Sequence, residues 1–241
     1  MNEVVAKRCG CTDLFVFGAM GDSGLCVGAA LDQAAHGDHA GRHLFLGPEP
    51  GDGKPGGSGL DEEAIRRVAA MIDAGRVVAL VTGRMEFGPR ALGHRSLLFS
   101  PKQPETAGML SRALNRPAVM PYAPAVRAED YGKVTADPAW AATRDMTVTV
   151  TAKPGIAEKY PVAVHTDGSM RLQRVARDET PLLHDILSAL ASFDTPPLAI
   201  NTSFNRHTEP IVRGAERAFA LFESLPIDAL VLNETLWEKR P

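Results

Sequence analysis

The chain predicts an α/β fold, a mixed sheet with helices around it, on three observations. Short apolar runs, Val77–Val81, Leu198–Ile200 and Ala229–Leu232, are interspersed with longer segments of helical period, Asp61–Ala74, Thr180–Ser192 and Ala215–Ser224. Pro48–Gly59 holds five glycines and three prolines in twelve positions, so it buries no apolar surface and reads as a flexible linker. The 241 residues, 44% hydrophobic and 23% charged, suffice for one large domain or a domain with an attachment.

The net charge of −3 argues against a dedicated nucleic-acid binder, which carries a basic surplus. No apolar h-region follows the basic residues of MNEVVAKRCGC, so this is not a signal peptide, and Leu14–Leu31 is interrupted by Asp22 and small residues and makes no membrane span. Cys9, Cys11 and Cys26 are odd in number and clustered, which excludes a disulfide framework and suits reduced thiols in a cytoplasmic protein.

In chain order, Leu14–Phe17 reads as a strand leading into a close-packed, small-residue helix over Gly18–Leu31. His36, His39 and His43 invite a metal site, but Gly37 and Gly41 weaken the helix that would align them. Asp61–Ala74 is an amphipathic helix with Ile65, Val68 and Ile72 on one face, acidic residues at its start and Gly75 at its stop. Val77–Val81 is a strand, and after it comes Gly83–Ser96, GRMEFGPRALGHRS, with Arg84, Arg90 and Arg95 among three glycines. Guanidinium forks suit phosphate and carboxylate, and glycine lets backbone N–H groups approach a ligand. The run reads as an anion loop or, more simply, as a turn with solvated arginines.

Leu110–Asn115 reads as a helix, and three prolines in Asn115–Pro124 stiffen the next segment, where Arg116 is a second anion contact or part of a rigid surface loop. Met146–Thr151 alternates apolar and threonine residues, the signature of a half-buried strand. Val162–His165 reads as another strand, with a turn at Asp167-Gly168 across which His165 and Arg171 can meet, or His165 is a satisfied core residue. Thr180-Pro181 opens a helix to Ser192 with an apolar stripe. The strand Leu198–Ile200 runs into Asn201, Thr202, Ser203 and Asn205, which donate hydrogen bonds to an oxyanion or satisfy their own turn.

GRMEFGPRALGHRS resembles a signature of the O-carbamoyltransferases of antibiotic and nodulation-factor biosynthesis, and NTSFNRHTEPIV, Asn201–Val212, resembles the other signature of their C-terminal domain. NRPAVMPYAP corresponds to an R-x-x-x-(R/M)-P-F-A-P pattern, with Tyr122 for the commoner phenylalanine, and His165–Gln173 to an H-x-D-G-(T/S)-x-R-x-Q pattern. The resemblance implies a YrdC/Sua5-like twisted mixed sheet over residues 60–241, after a linker at 48–59. Residues 1–47 would then be a small strand–helix remnant of the actin/Hsp70-like ATPase domain that precedes it in the family.

It also implies an enzyme that takes carbamoyl phosphate and ATP, with Mg²⁺, forms a carbamoyl-adenylate and passes the carbamoyl group to an acceptor hydroxyl. Arg84, Arg90, Arg116, Asn201 and Ser203 would act in catalysis, and Arg95, His165, Arg171, Thr202 and Asn205 in binding substrate or nucleotide. Asp22, in DSGLCVGAA, corresponds to a metal ligand of the preceding domain, for Fe²⁺ or another divalent ion. No histidine precedes it, so that site is incomplete within this chain and implies an N-terminal-domain subunit as partner, or a truncated, inactive product. A non-catalytic YrdC-like nucleotide- or RNA-binding module is the competing reading.

Overall fold

The structure, a computed structural model, describes residues 1–33, 44–117 and 119–239. The histidines at 36, 39 and 43 lie outside the described residues. Helices are α1 (Asn2–Arg8), α2 (Leu25–Gln33), α3 (Glu62–Asp73), α4 (Pro104–Ala113), α5 (Tyr131–Val134), α6 (Ile156–Lys159), α7 (Pro181–Leu190) and α8 (Ala215–Ser224). Strands are β1 (Ser58–Gly59), β2 (Val78–Val81), β3 (Arg95–Phe99), β4 (Ala123–Arg127), β5 (Val150–Thr151), β6 (Ser169–Met170), β7 (Gln173–Val175), β8 (Ala199–Ser203), β9 (Ala229–Leu232) and β10 (Thr235–Glu238).

Eight strands form one mixed sheet in the order β1-β10-β9-β2-β3-β8-β4-β7, and β5 and β6 form a separate ribbon. The pairs β2–β9 and β4–β7 are parallel, and the others are antiparallel. Side-chain alternation along each strand feeds two layers. Val78, Leu80, Leu98, Ala199 and Val231 meet Val68, Ile72, Ile186 and Leu187 of α3 and α7. Ala79, Val81, Leu97, Phe99, Ile200 and Leu230 face the opposite side, which holds α4 and α8 with Leu110, Phe219 and Phe222.

Local chemistry explains where the elements stop and start. The Asp61 side chain accepts from Ala64 N at 2.8 Å and caps α3, and Gly75, at φ +83°, ends it in a left-handed conformation. Pro181 at the first turn starts α7, with Thr180 as the flanking residue and without a side-chain cap.

Three expected strands are corrected. Leu14–Phe17 is irregular; Leu14 O accepts from Ala142 N and Val16 O from the Thr147 hydroxyl. Only Val150–Thr151 of Met146–Thr151 is a strand, and Met146 has φ +54°. The alternation there misleads because Thr147 is buried as well, and α1 covers the segment: Asn2 Nδ2 donates to Thr147 O, and Thr149 and Thr151 donate to Glu3. Val162–His165 is not a strand either. The Asp167-Gly168 turn forms, with Gly168 N donating to His165 O and His165 N to Ser169 O, but β6 pairs with β5 instead.

Residues 48–59, expected as a linker, lie along the sheet's edge. Pro48 O accepts from Met85 N, Pro50 O from Ala215 N, and β1 pairs with β10. Among the described residues no helix is long and apolar enough to cross a membrane, and Cys9, Cys11 and Cys26 are free thiols.

Candidate functional site

Strand register places the site. Val81 at the end of β2 pairs with Arg95 at the start of β3, Ser96 pairs with Ser203 at the end of β8, Asn201 with Ala123 at the start of β4, and Ala125 with Gln173 at the start of β7. The β2–β3 loop, the segment before β4, the residues before β7 and the end of β8 therefore all stand at one end of the sheet.

They enclose a cavity of about 120 Å³ lined by Arg90, Arg116, Arg171, Asn201, Thr202 and Ser203, walled by Pro89, Ala91, Met120, Pro121, Ala123 and Met146. Arg116 is held by Pro121 O at 2.7 Å and by the Thr202 hydroxyl at 3.4 Å, with its guanidinium 4.6 Å from the Tyr122 ring centroid. The Tyr122 hydroxyl is fixed by Ser111 Oγ at 2.8 Å. Arg171 reaches Pro121 O at 3.5 Å.

None of these three arginines is ion-paired among the described residues, whose bridges take up Arg66, Arg67, Arg127, Arg144, Arg177 and Arg217. Buried Nε and Nη1 of Arg90 and Nε of Arg116 have no hydrogen-bond partner. Burial first, and then the neighbouring Arg171, push Arg90 below the ordinary arginine value, against a weaker pull from Asp145. Burial lowers Arg116 and Arg171 as well. Three half-buried cations with no ion-pair partner among the described residues are held at a cost that an incoming oxyanion relieves.

The other expected site residues lie elsewhere. Arg84 donates to Leu46 O at 2.6 Å and Gly47 O at 3.1 Å, clasping residues 46–47 to the loop. Arg95 is 0% exposed, points its guanidinium at five carbonyls, those of Pro48, Thr82, Gly83, His94 and Arg213, and does not line the cavity. Asn205 Nδ2 donates to Arg206 O and Glu209 O and closes its own turn. Asp22 is exposed at the start of a short 3₁₀ turn, and among the described residues no three His, Cys, Asp or Glu side chains stand together as a metal site.

His165 lines an adjoining cleft of about 990 Å³ between α4 and residues 161–167, which shares Arg116, Met120 and Pro121 with the cavity. Its Nδ1 is 3.1 Å from Ser169 Oγ, and burial, with Arg171 nearby, lowers its pKa against weaker pulls from the Tyr122 backbone and Asp167. On its other side the cavity shares Arg90, Arg171 and Met146 with a recess of about 160 Å³ beneath Met1–Glu3.

Sequence reasoning passed over the groups behind the arginines. Glu86, inside the glycine-arginine loop, and Gln173, at the end of the H-x-D-G pattern, are both buried against it. Asp145, beside Arg90, carried no motif. Burial and Glu179 raise it to about 6, against Arg144 and Arg90. The sign follows: between roughly pH 4, where the unfolded carboxyl ionises, and pH 6 the folded chain holds the extra proton, so stability falls as pH rises. Asp145→Asn is expected to match the wild type in urea titrations below pH 4 and to exceed it above pH 6. A constant difference across that range would refute the assignment.

A family model described as the carbamoyltransferase C-terminus matches residues 69–239. Nodulation protein NolO of Bradyrhizobium diazoefficiens is 31% identical over 95% of the chain, which spans 45% of NolO. The 3'-hydroxymethylcephem-O-carbamoyltransferase of Streptomyces clavuligerus is 32% identical over 95% of the chain, which spans 44% of that enzyme. The chain thus covers less than half the length of these relatives. Among solved structures, full-length HypF, determined in a phosphate- and nucleotide-bound form, superposes with a TM-score of 0.53 at 20% identity over 71% of the chain and 25% of HypF. Sua5 of P. abyssi, complexed with L-threonine, gives 0.50 at 13% identity over 73% of the chain and 48% of Sua5. These likenesses show a YrdC-like α/β fold. By the family match and the relatives together, the chain belongs to the O-carbamoyltransferase family.

Proposed function

We propose that this chain carries out the activating half of O-carbamoyl transfer: it binds carbamoyl phosphate and ATP and forms a carbamoyl-adenylate. The observation that carries the reading is the convergence of Arg90, Arg116 and Arg171, without ion-pair partners among the described residues, on Thr202 and Ser203 at the end of β8. In balance, carbamoyl phosphate, water and ATP become carbamoyl-adenylate, phosphate and pyrophosphate. Two anions must sit side by side, and like charges about 4 Å apart repel by roughly 4 kcal/mol at an intermediate dielectric. The three guanidiniums offset that repulsion and hold the reacting oxygens in line, so positioning and charge neutralisation supply the catalysis.

The 990 Å³ cleft is roomy enough for the nucleoside, with Tyr122, Pro121 and Val162 as apolar surface and Arg116 at its junction with the phosphates. Mg²⁺ would arrive on the polyphosphate, held chiefly by phosphate oxygens and water. Transfer to a hydroxyl then needs the part of the relatives that this chain does not span. Asp22 would join a metal site only with histidines from a partner domain. Leu25, 71% exposed on α2, a helix with no buried residue, is an apolar surface for such a partner. The division into residues 1–47, 48–59 and 60–241 belongs to the same reading.

Incubation with ATP, Mg²⁺ and carbamoyl phosphate is expected to release pyrophosphate only when all three are present. Binding of RNA with no affinity for carbamoyl phosphate would instead favour a non-catalytic module.

A further inference from the structure

Arg90 stands on an irregular loop, and loops hold a side chain in register only where something fixes their backbone. Two buried side chains do so here. Glu86 Oε1 accepts from Leu92 N at 2.7 Å, His94 N at 2.8 Å and Arg95 N at 3.1 Å. From the other side Gln173 Nε2 donates to Leu92 O at 2.7 Å. Gln173 Oε1 accepts from Asn201 Nδ2 at 2.7 Å, and that same amide donates to Ala91 O at 3.2 Å. Both hydrogen-bonding groups of Leu92 are thereby pinned, two residues beyond Arg90, and the end of β8 is tied to the loop through one amide. Glu86, Gln173 and Asn201 are all buried, at 4%, 2% and 2% exposure, and Glu86 and Gln173 lie outside the cavity lining. A buried hydrogen-bonded chain of this kind is rigid because each member, once unpaired, is costly.

We propose that Glu86 and Gln173 are positioning residues that pin Leu92 from opposite sides and so aim Arg90 into the anion cavity. The inference rests on reading the cavity as an anion site, but not on which anion it takes. Glu86→Gln keeps one acceptor oxygen for the three N–H groups, whereas Glu86→Met keeps none. Gln173→Met preserves length and removes both the donor and the acceptor.

Inorganic phosphate is the probe, titrated calorimetrically into the full chain, with carbamoyl phosphate second. Glu86→Gln is expected to bind phosphate nearly as the wild type does, while Glu86→Met and Gln173→Met weaken it by roughly tenfold or more. In an Arg90→Ala background the same substitutions are expected to have little further effect, because they act through Arg90. A merely structural role gives losses that add instead. Additive losses, or unchanged phosphate affinity in Gln173→Met, would overturn the proposal. If Glu86→Met does not fold, Glu86→Gln and Gln173→Met still decide it. A wild-type chain that binds phosphate but not carbamoyl phosphate sinks the functional reading and leaves the pinning intact, and one that binds neither overturns both.

Discussion

Arg90→Ala is expected to lower ATP-dependent pyrophosphate release by roughly 10²–10³-fold, the range for removing one preorganised donor from developing charge. The same substitution is expected to raise the melting temperature of the free chain. In the absence of an anion Arg90 is desolvated, faces Arg171 and leaves two nitrogens unpaired. Removing it relieves a strained arrangement, and each kcal/mol relieved shifts the midpoint by about 2–4 °C in a chain of this size. The paired measurement is thermal melting with and without phosphate. Ligand at a hundred times its dissociation constant stabilises a folded state by about 2.7 kcal/mol, and the alanine variant should lose most of that rise. Loss of activity accompanied by a lower melting temperature would place Arg90 in the fold rather than in the site. Arg116→Ala should behave differently, because Arg116 also stacks on Tyr122 and binds Pro121 O, so its removal costs stability as well as activity.

Arg95→Ala is expected to be the most destabilising single change in the loop, by about 4 kcal/mol. Its five carbonyl partners come from four separate stretches: Pro48, Thr82 and Gly83, His94, and Arg213. Truncation strands those acceptors in the interior around a cavity. Lysine cannot substitute, because a single ammonium has three donors and no planar fork. The check is urea unfolding: the midpoint should fall with the slope unchanged, the mark of a change in stability rather than in the amount of surface exposed. A variant within 1 kcal/mol of the wild type would mean that the carbonyls find other donors.

The two arginines differ by five positions in one motif, and nothing local tells them apart. Sequence pattern located the amphipathic helices and apolar strands well: Ala215–Ser224 and Ala229–Leu232 form as expected, and Asp61 and Gly75 bound α3. It failed where burial is two-sided, as at Met146–Thr151, because alternation then reflects contacts on both faces rather than a pleat. It gives no means of telling Arg84 and Arg95, which bond backbone carbonyls, from Arg90, since a guanidinium fork suits a carbonyl as readily as a phosphate. What gathers Arg90, Arg116 and Arg171 is the pairing of Val81 with Arg95, Ser96 with Ser203 and Asn201 with Ala123. Those register relations together run from residue 81 to residue 203 and leave no trace in any short window. Glu86 and Gln173 stood inside recognisable motifs, but their role emerges only once the backbone they grip is in place.

The large sheet finishes in very short strands. On one side it closes with the two-residue β1, and on the other with the three-residue β7. Neither margin offers more than a stub of open backbone to a foreign strand, so the molecule is guarded against edge-to-edge aggregation. Short margins of this kind favour association through helix faces and loops over strand addition to the large sheet.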